Sequence, residues 1–405
     1  MSTGKIVLLI ALGVLFISVA VLGIVLHQVP FDFDIDSIAP LESDLCLLSA
    51  EDPLNKSGSP ALAKVKDGKI SEEEVKILFL TDVHLCEVQD QTRESLDRMV
   101  SYIEREKPDL IILGGDTLNG LNDKVRVYQF RNIMDAFNVY WAPVLGNHEG
   151  DRPLLMTDRD IIVDLWSASP RCLMESDTKY TSDRRVVDGY GNYVVSILGS
   201  DGYIKNAFFM LDNGDKLKLS EYSKWGIDKK EKKVDVAISA AQVDWYKETY
   251  SAMKEKNGGT LTHMCVIHKP LQEMGAAIKI RGKVNYKYEV DWSLNDEAVE
   301  AGWMHVDGTL RDKVHCPPYT DGELYKELVA NGAKAVFFGH DHVSDLTLYN
   351  AKDDIYLTYI RLTSAKEHVG DAEGYNVMKI APSGDYVYNA YNKDGSFDVQ
   401  LFKKD

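Results

Sequence analysis

The chain has 405 residues, 46 of them basic and 63 acidic, for a formal net charge of −17. Such a charge repels polyanions and disfavours nucleic acid as the principal partner. Apolar residues at 45% and charged residues at 27% exclude a disordered or fibrous chain, and the length suffices for one large domain or two ordinary ones.

Residues 6–26 are an uncharged apolar run that, as a helix, spans roughly 30 Å, the thickness of a bilayer's hydrocarbon core. Residues 1–27 therefore read as an uncleaved membrane anchor. A cleaved signal peptide is the alternative, for which Ser18, Val19 and Ala20 supply small residues. Lys5 precedes the run and Asp32, Asp34, Asp36, Glu42 and Asp44 follow it, which places the bulk of the chain in a lumen or outside the cell, anchored or secreted. The sequon Asn55-Lys56-Ser57 fits that placement. Cys46, Cys86, Cys172, Cys265 and Cys316 lack paired-ligand spacing and neither require nor exclude one disulfide. Residues 28–74, punctuated by Pro40, Pro53, Gly58 and Pro60, read as a linker with one short apolar patch at 45–48.

From residue 76 apolar strands alternate with amphipathic helices. The run 76–80 predicts a buried strand; Leu96, Met99, Val100 and Ile103 mark one face of a helix; 109–113 predicts a strand, 125–137 a helix and 139–145 a third strand. This βαβαβ order implies a parallel core sheet with its loops clustered at the strands' carboxyl ends. Thr157 and Asp160 suggest a capping box opening a helix that runs to 167. Strands at 193–198 and 206–211, a helix at 240–256 and a strand at 262–267 follow. A long polar segment, 273–318, intervenes before a helix at 323–330 and a strand at 334–338. The last fifty residues read as antiparallel strands, with Gly384 in a turn. The fold class is α/β: a two-sheet sandwich flanked by helices over residues 75–405, preceded by the N-terminal hydrophobic helix.

Five blocks follow apolar runs: Asp82-Val83-His84, Gly115-Asp116, Gly146-Asn147-His148-Glu149, His268, and Gly339-His340-Asp341-His342. Singly, each reads as a turn or a surface loop. Five of the ten histidines fall in these blocks, and hard oxygen and imidazole donors on short turns beside rigid strands suit a preorganised metal site. Lys269, His305, Arg311 and His315 lie beside or within the polar segment and are candidates for gripping a substrate. The alternative for that segment is a solvated insertion.

With Gly189-Tyr190-Gly191-Asn192-Tyr193, His268-Lys269-Pro270 and Gly339-His340-Asp341-His342-Val343-Ser344-Asp345, the set resembles the calcineurin-like metallophosphoesterases, in the branch related to purple acid phosphatases, over roughly residues 74–400. The resemblance implies two ions of Fe, Zn or Mn, one held by Asp82, His84, Asp116 and His342, the other by Asp116, Asn147, His268 and His340. Asp116 has two carboxylate oxygens and can bridge both ions, which a histidine cannot. Two such ions can clamp a phosphate and activate a shared water, and they leave the site cationic within an acidic surface. His148 is then the expected acid for the leaving group, with Glu149 orienting it; the alternative is that His148 only hydrogen-bonds phosphate. The purple enzymes carry a tyrosine where this chain has Asn119, so neither purple colour nor an obligatory ferric centre is implied, and divalent and trivalent ions both stay open.

The expected function is metal-dependent hydrolysis of phosphate monoesters, of a small molecule or a phosphoprotein, by direct attack of a metal-bridging hydroxide. A phosphodiesterase acting on nucleotides or phospholipid head groups is the rival within the class. A non-catalytic surface binding protein on the same fold is the rival outside it.

Overall fold

The computed structural model describes residues 5, 10, 12–19 and 30–404, apart from 87, 121–123, 151–158, 176–180, 185, 215, 217–221, 224–226, 229, 231–233, 286, 319–322 and 366–371. Residues 12–19 are helical and exposed. No helix of the described residues is long and apolar enough to cross a membrane. Most of the run 6–26, and with it the anchor or signal-peptide reading, lies outside the described residues, as does Thr157.

Strands β1 (Leu45–Leu48), β2 (Ala61–Lys66), β3 (Lys69–Ile70) and β4 (Val75–Leu80) lead into helix α1 (Gln89–Glu106), β5 (Leu110–Leu113), α2 (Lys124–Ala136), β6 (Tyr140–Pro143) and α3 (Arg159–Ser167). Next come β7 (Tyr193–Leu198), β8 (Ile204–Met210), α4 (Ala240–Lys256), β9 (Thr262–Val266), α5 (Gln272–Ala277), β10 (Ile278–Arg281), β11 (Asp291–Leu294), α6 (Asp296–Glu300) and β12 (Trp303–Asp307). The remainder is α7 (Leu324–Ala330), β13 (Ala335–Phe338), β14 (Thr347–Asn350), β15 (Ile355–Tyr359), β16 (Gly374–Ile380), β17 (Tyr386–Asn392) and β18 (Phe397–Lys404).

Two sheets form a sandwich. In the first, β4, β5 and β6 pair in parallel, as the βαβαβ order dictates, and β16, β17 and β18 extend it antiparallel from β4. Strand β5 is buried throughout, because a parallel strand covered on both faces has no solvent side. The second sheet runs β1-β2-β7-β8-β9-β13-β15-β14-β12, with β3 beside β2. Phe79 of β4 lies at the junction, its ring centroid 4.9 Å from Phe337 in β13 and 6.1 Å from Phe208 in β8. The next residues, Phe209 and Phe338, alternate to the opposite face and pack in a separate core with Tyr246 of α4 and Leu328 of α7. Each such buried ring contributes about 1.5–3 kcal/mol. The consequence for function is alignment: the carboxyl ends of β4, β5 and β6 meet those of β9 and β13.

Two regions differ from their reading in the sequence. Residues 28–74 are more than a linker: β1 and β2 form an edge of the second sheet, β2 pairing parallel with β7. An edge strand with only its end residues buried, as in β1, carries little periodic signal. The polar segment 273–318 likewise supplies α5, a β10–β11 hairpin, α6 and β12, which closes the other edge against β14. The sequon is also committed elsewhere. Asn55 donates both amide hydrogens, to the Ser49 carbonyl at 2.9 Å and the Ser59 carbonyl at 2.7 Å, and is buried. All five cysteines are free thiols.

Candidate metal centre

Each of the five blocks leaves the carboxyl end of a core strand, after β4, β5, β6, β9 and β13. The turns are tight enough to force unusual backbone. Asp82 (φ 51°), His84 (55°), Asp116 (49°) and His340 (77°) all lie in the left-handed region, where a non-glycine residue costs on the order of 1–3 kcal/mol and persists only when its surroundings hold it. Here the loops hold one another: the Asp82 N–H donates to the Gly115 carbonyl at 2.9 Å and the His84 N–H to that of Asp116 at 3.0 Å. Two glycines are required by close approach. A Cβ on Gly115 would lie 2.4 Å from His268 Nδ1, and one on Gly146 would lie 2.1 Å from Asp116 Oδ1.

The two carboxylates are aimed by their partners. Asp82 Oδ2 accepts from the Thr81 hydroxyl at 2.6 Å and the His340 N–H at 3.0 Å. That leaves Oδ1 facing His342 Nε2 at 3.2 Å and His84 Nε2 at 3.5 Å. Asp116 Oδ1 accepts from the His148 N–H at 2.7 Å. Its Oδ2 lies 3.1 Å from His268 Nε2 and 3.7 Å from His84 Nε2. The potential ligand atoms of Asp82, His84, Asp116 and His342 all lie within 4.8 Å of one another, as do those of Asp116, His268 and His340. Asp116 belongs to both groups, as a bridging residue must.

Asp116 Oδ2 and His268 Nε2 are buried and face each other as an ion pair without a well-formed hydrogen bond, and the buried Asn147 Oδ1 makes no hydrogen bond. His268 Nδ1 lies 2.9 Å from the Gly114 carbonyl, so Nδ1 carries a proton and the ring is turned to aim Nε2 at Asp116. Asn119 also holds His84, in the opposite sense: its amide Nδ2 donates to His84 Nδ1 at 2.7 Å. The position that holds tyrosine in the purple enzymes thus orients a histidine here.

Electrostatics among these groups follow burial and charge. Burial alone would raise Asp82 and Asp116, but the facing histidines, His268 first, outweigh it and hold both well below the usual carboxylate range. Burial opposes a proton on His268, yet Asp116 and Asp82 raise it to about 9. His340 is pushed well down by burial and by His268. Glu149 is raised by burial and by Asp116.

Glu149 does not orient His148. Its carboxylate accepts from the N–H groups of Gly146 at 2.7 Å, Leu118 at 3.0 Å and Asp116 at 3.1 Å, stapling the second block to the third. A buried carboxylate beside three free N–H groups is drawn to them before a half-exposed imidazole. His148 itself stands at the rim, its side chain 30% exposed and its Nε2 3.9 Å from Asp116 Oδ2.

The four candidate substrate residues separate. Lys269 is fully buried, its Nζ 3.2 Å from Asp235 and donating to the Gly214 carbonyl at 2.9 Å, so it is part of the scaffold and not a substrate grip. Burial lowers it to about 8 against the pull of Asp235. His315 does reach the centre's edge: Nδ1 pairs with Asp341 at 2.6 Å, and its ring lies 6.4 Å from that of His340. His305 Nε2 lies 2.9 Å from the Gly308 carbonyl with its ring edge-on to Trp292, and Arg311 donates to the Lys287 carbonyl at 3.1 Å. These partners belong to the insertion, not to the five blocks.

Residues 75–344 match the sequence pattern of the calcineurin-like phosphoesterases. The chain belongs to that family. This calcineurin-like phosphoesterase is 24% identical over 401 residues to an Arabidopsis thaliana protein named "Probable inactive purple acid phosphatase 29", covering 90% of this chain and 83% of that one. It is also 24% identical over 297 residues to "Probable inactive purple acid phosphatase 28" of the same plant, covering 67% of this chain and 66% of that one. The chain thus spans just under two thirds of the latter's length. Among solved structures it is similar to a dimetal phosphatase from Danio rerio, with a TM-score of 0.46 and 12% identity over 81% of this chain and 98% of that one. It is also similar to a purple acid phosphatase from yellow lupin, with a TM-score of 0.39 and 11% identity over 85% and 56%.

Proposed function

We propose that this calcineurin-like phosphoesterase is a binuclear metal-dependent phosphatase that hydrolyses phosphate monoesters. The observation that carries the reading is a pair of donor groups, one of Asp82, His84, Asp116 and His342 and one of Asp116, His268 and His340, that share Asp116, with the buried Asn147 Oδ1 left without a hydrogen bond on the adjoining loop. A buried polar atom without a partner costs about 1–3 kcal/mol, and the mixture of carboxylate, amide oxygen and imidazole suits Fe, Zn or Mn. Asp82, His84, Asp116 and His342 would hold one ion, and Asp116, Asn147, His268 and His340 the other. When bound, the ions supply Lewis acidity toward phosphoryl oxygens and lower the pKa of water at neutral pH.

The chain's own part is orientation and proton transfer. Thr81 and the His340 N–H fix Asp82, Gly114 fixes His268, and Asn119 fixes His84. His148 is held through its N–H by Asp116 while its ring stays half-exposed, so it gives a proton to the departing alkoxide. A poor alkoxide leaving group needs that proton, which is why a monoester of a small molecule or phosphoprotein is the substrate class proposed.

One observation favours a second reading, a non-catalytic binding protein: the two plant relatives carry names that mark them inactive. Against it stands the presence of every ligand position in this chain. The uncharged run 6–26 supports attachment to a membrane, with the catalytic domain in a lumen or outside the cell. Alkaline carbonate should then leave the protein in the membrane pellet; release into the supernatant would remove that assignment.

The test of the main reading is phosphate release from aryl phosphate monoester and diester by protein stripped of metal and reloaded with Mn, Zn or Fe. Recovery on reloading, with the monoester faster, is expected. Two bound ions with neither ester cleaved would transfer the chain to the binding-protein reading, and a faster diester would make it a phosphodiesterase.

A further inference from the structure

We infer that Arg159 and Asp212 form a buried ionic clamp, spanning the two sheets, that positions Asn147 for the second ion; the inference rests on the binuclear reading. Arg159 opens α3 and is 6% exposed. Its Nη1 donates to the Gly146 carbonyl at 2.6 Å, and its Nη2 donates to the Asp212 carboxylate. The Gly146 N–H, on the other side of the residue, donates to Glu149 at 2.7 Å. Both peptide groups of Gly146 are therefore fixed, and Asn147 is the next residue along the chain.

Asp212 lies two residues beyond β8, in the other sheet, and is 2% exposed. It is itself held in a socket. Its carboxylate accepts from the N–H groups of Tyr190 at 2.8 Å and Gly214 at 2.9 Å. Its backbone N–H donates to Asn192 Oδ1 at 3.2 Å, and its carbonyl accepts from Gln242 Nε2 at 2.6 Å. Gly189 (φ +79°) closes over it so tightly that a Cβ there would lie 2.8 Å from the Asp212 carbonyl oxygen. The Gly189-Tyr190-Gly191-Asn192 stretch, which contributes nothing to the donor clusters, thus seats the residue that Arg159 grips.

The reason this matters for one ion more than the other is the donor set. Asp116 and Asn147 come from the first sheet, His268 and His340 from the second, and Asn147 supplies a neutral amide oxygen, the weakest donor of the four. Its placement tolerates the least slack. A planar guanidinium donating at once to a carbonyl and a carboxylate fixes direction as well as distance, which an ammonium cannot do. Arg159 and Asp212 are positioning residues; neither is proposed to touch substrate.

The experiment is calorimetric titration of the metal-free full chain with Zn²⁺, beside thermal unfolding, for wild type, Arg159→Lys and the charge-neutral pair Arg159→Met with Asp212→Asn. In Arg159→Lys the weaker site should lose about 10- to 100-fold in affinity, while the tighter site and the unfolding temperature stay close to wild type. The neutral pair should behave the same way, and if it does not fold by circular dichroism, Arg159→Lys decides alone. Two wild-type affinities in Arg159→Lys would overturn the inference. So would a parallel fall in both sites and in thermal stability, which would mark the pair as scaffold only. Fewer than two Zn²⁺ per wild-type chain would overturn the binuclear reading itself, and the inference with it.

Discussion

Strand β9 carries a histidine near its start and another just past its end, and the two have opposite chemistry. His263 and His268 are both fully buried. His263 lies among Phe209, Tyr246 and Tyr250, with ring centroids at 5.7, 5.8 and 4.4 Å, and its Nε2 is 2.8 Å from the Tyr246 hydroxyl. Burial pushes it down to about 3. His268 faces Asp116 at 3.1 Å and Asp82 at 4.0 Å, and those carboxylates raise it to about 9 against the same burial. Even a nitrogen without a hydrogen bond does not separate them, since Nδ1 of His263 makes none either. What separates them is company: His268 meets carboxylates from other strand ends, and His263 meets aromatic rings and a phenol hydroxyl.

Substitutions sharpen that contrast. The largest effect is expected for His268→Ala, which should lower phosphate release on the order of 10²–10³-fold by removing one ion's ligand. His263→Ala should leave catalysis near wild type, so equal losses in steady-state assays of the two would break the distinction. His148→Asn should lower kcat about 100-fold while both ions remain bound, because it removes a proton donor and no ligand; a metal analysis showing loss of an ion would make His148 a ligand instead. Asn119→Ala, which frees the His84 ring, should weaken binding of the first ion about tenfold, read by competition with a chelator; unchanged affinity would strip Asn119 of its orienting part.

The smallest effect is a pH slope. Below about pH 6.5 the unfolded chain binds a proton at His263 that the folded chain refuses until about pH 3. The unfolded state therefore carries more protons across that window, and stability falls as pH falls through it, by at most roughly 1.4 kcal/mol per pH unit. Urea unfolding at pH 7, 6 and 5 should show a shallower decline for His263→Phe than for wild type. Identical slopes would mean that His263 titrates normally in the core.

The donor blocks were legible in the sequence because each sits where an apolar run stops, and a strand end fixes its loop in space. The central strands were legible for the same reason: two covered faces leave an uninterrupted apolar signature, as in β5. Edge elements were not. Strand β1 buries only its end residues, and β12 buries only Trp303, so both vanish into polar sequence. Side-chain direction was also hidden. Lys269 follows a donor residue and reads as a substrate contact, yet its ammonium turns inward to Asp235, 34 residues earlier. Arg159 and Asp212 left no local mark, since their partnership spans 53 residues and joins two sheets. The Gly189–Asn192 stretch could be quoted as a motif, but its socket for Asp212 exists only in three dimensions.

The central claim is that donors from five strand ends build one two-ion centre, and counting ions tests it most directly. Elemental analysis of desalted protein, loaded with Zn²⁺, should give two ions per chain for wild type and for His263→Ala, and fewer for His268→Ala and Asn147→Ala. An equal count in all four proteins, or no bound ion in wild type, would contradict the account.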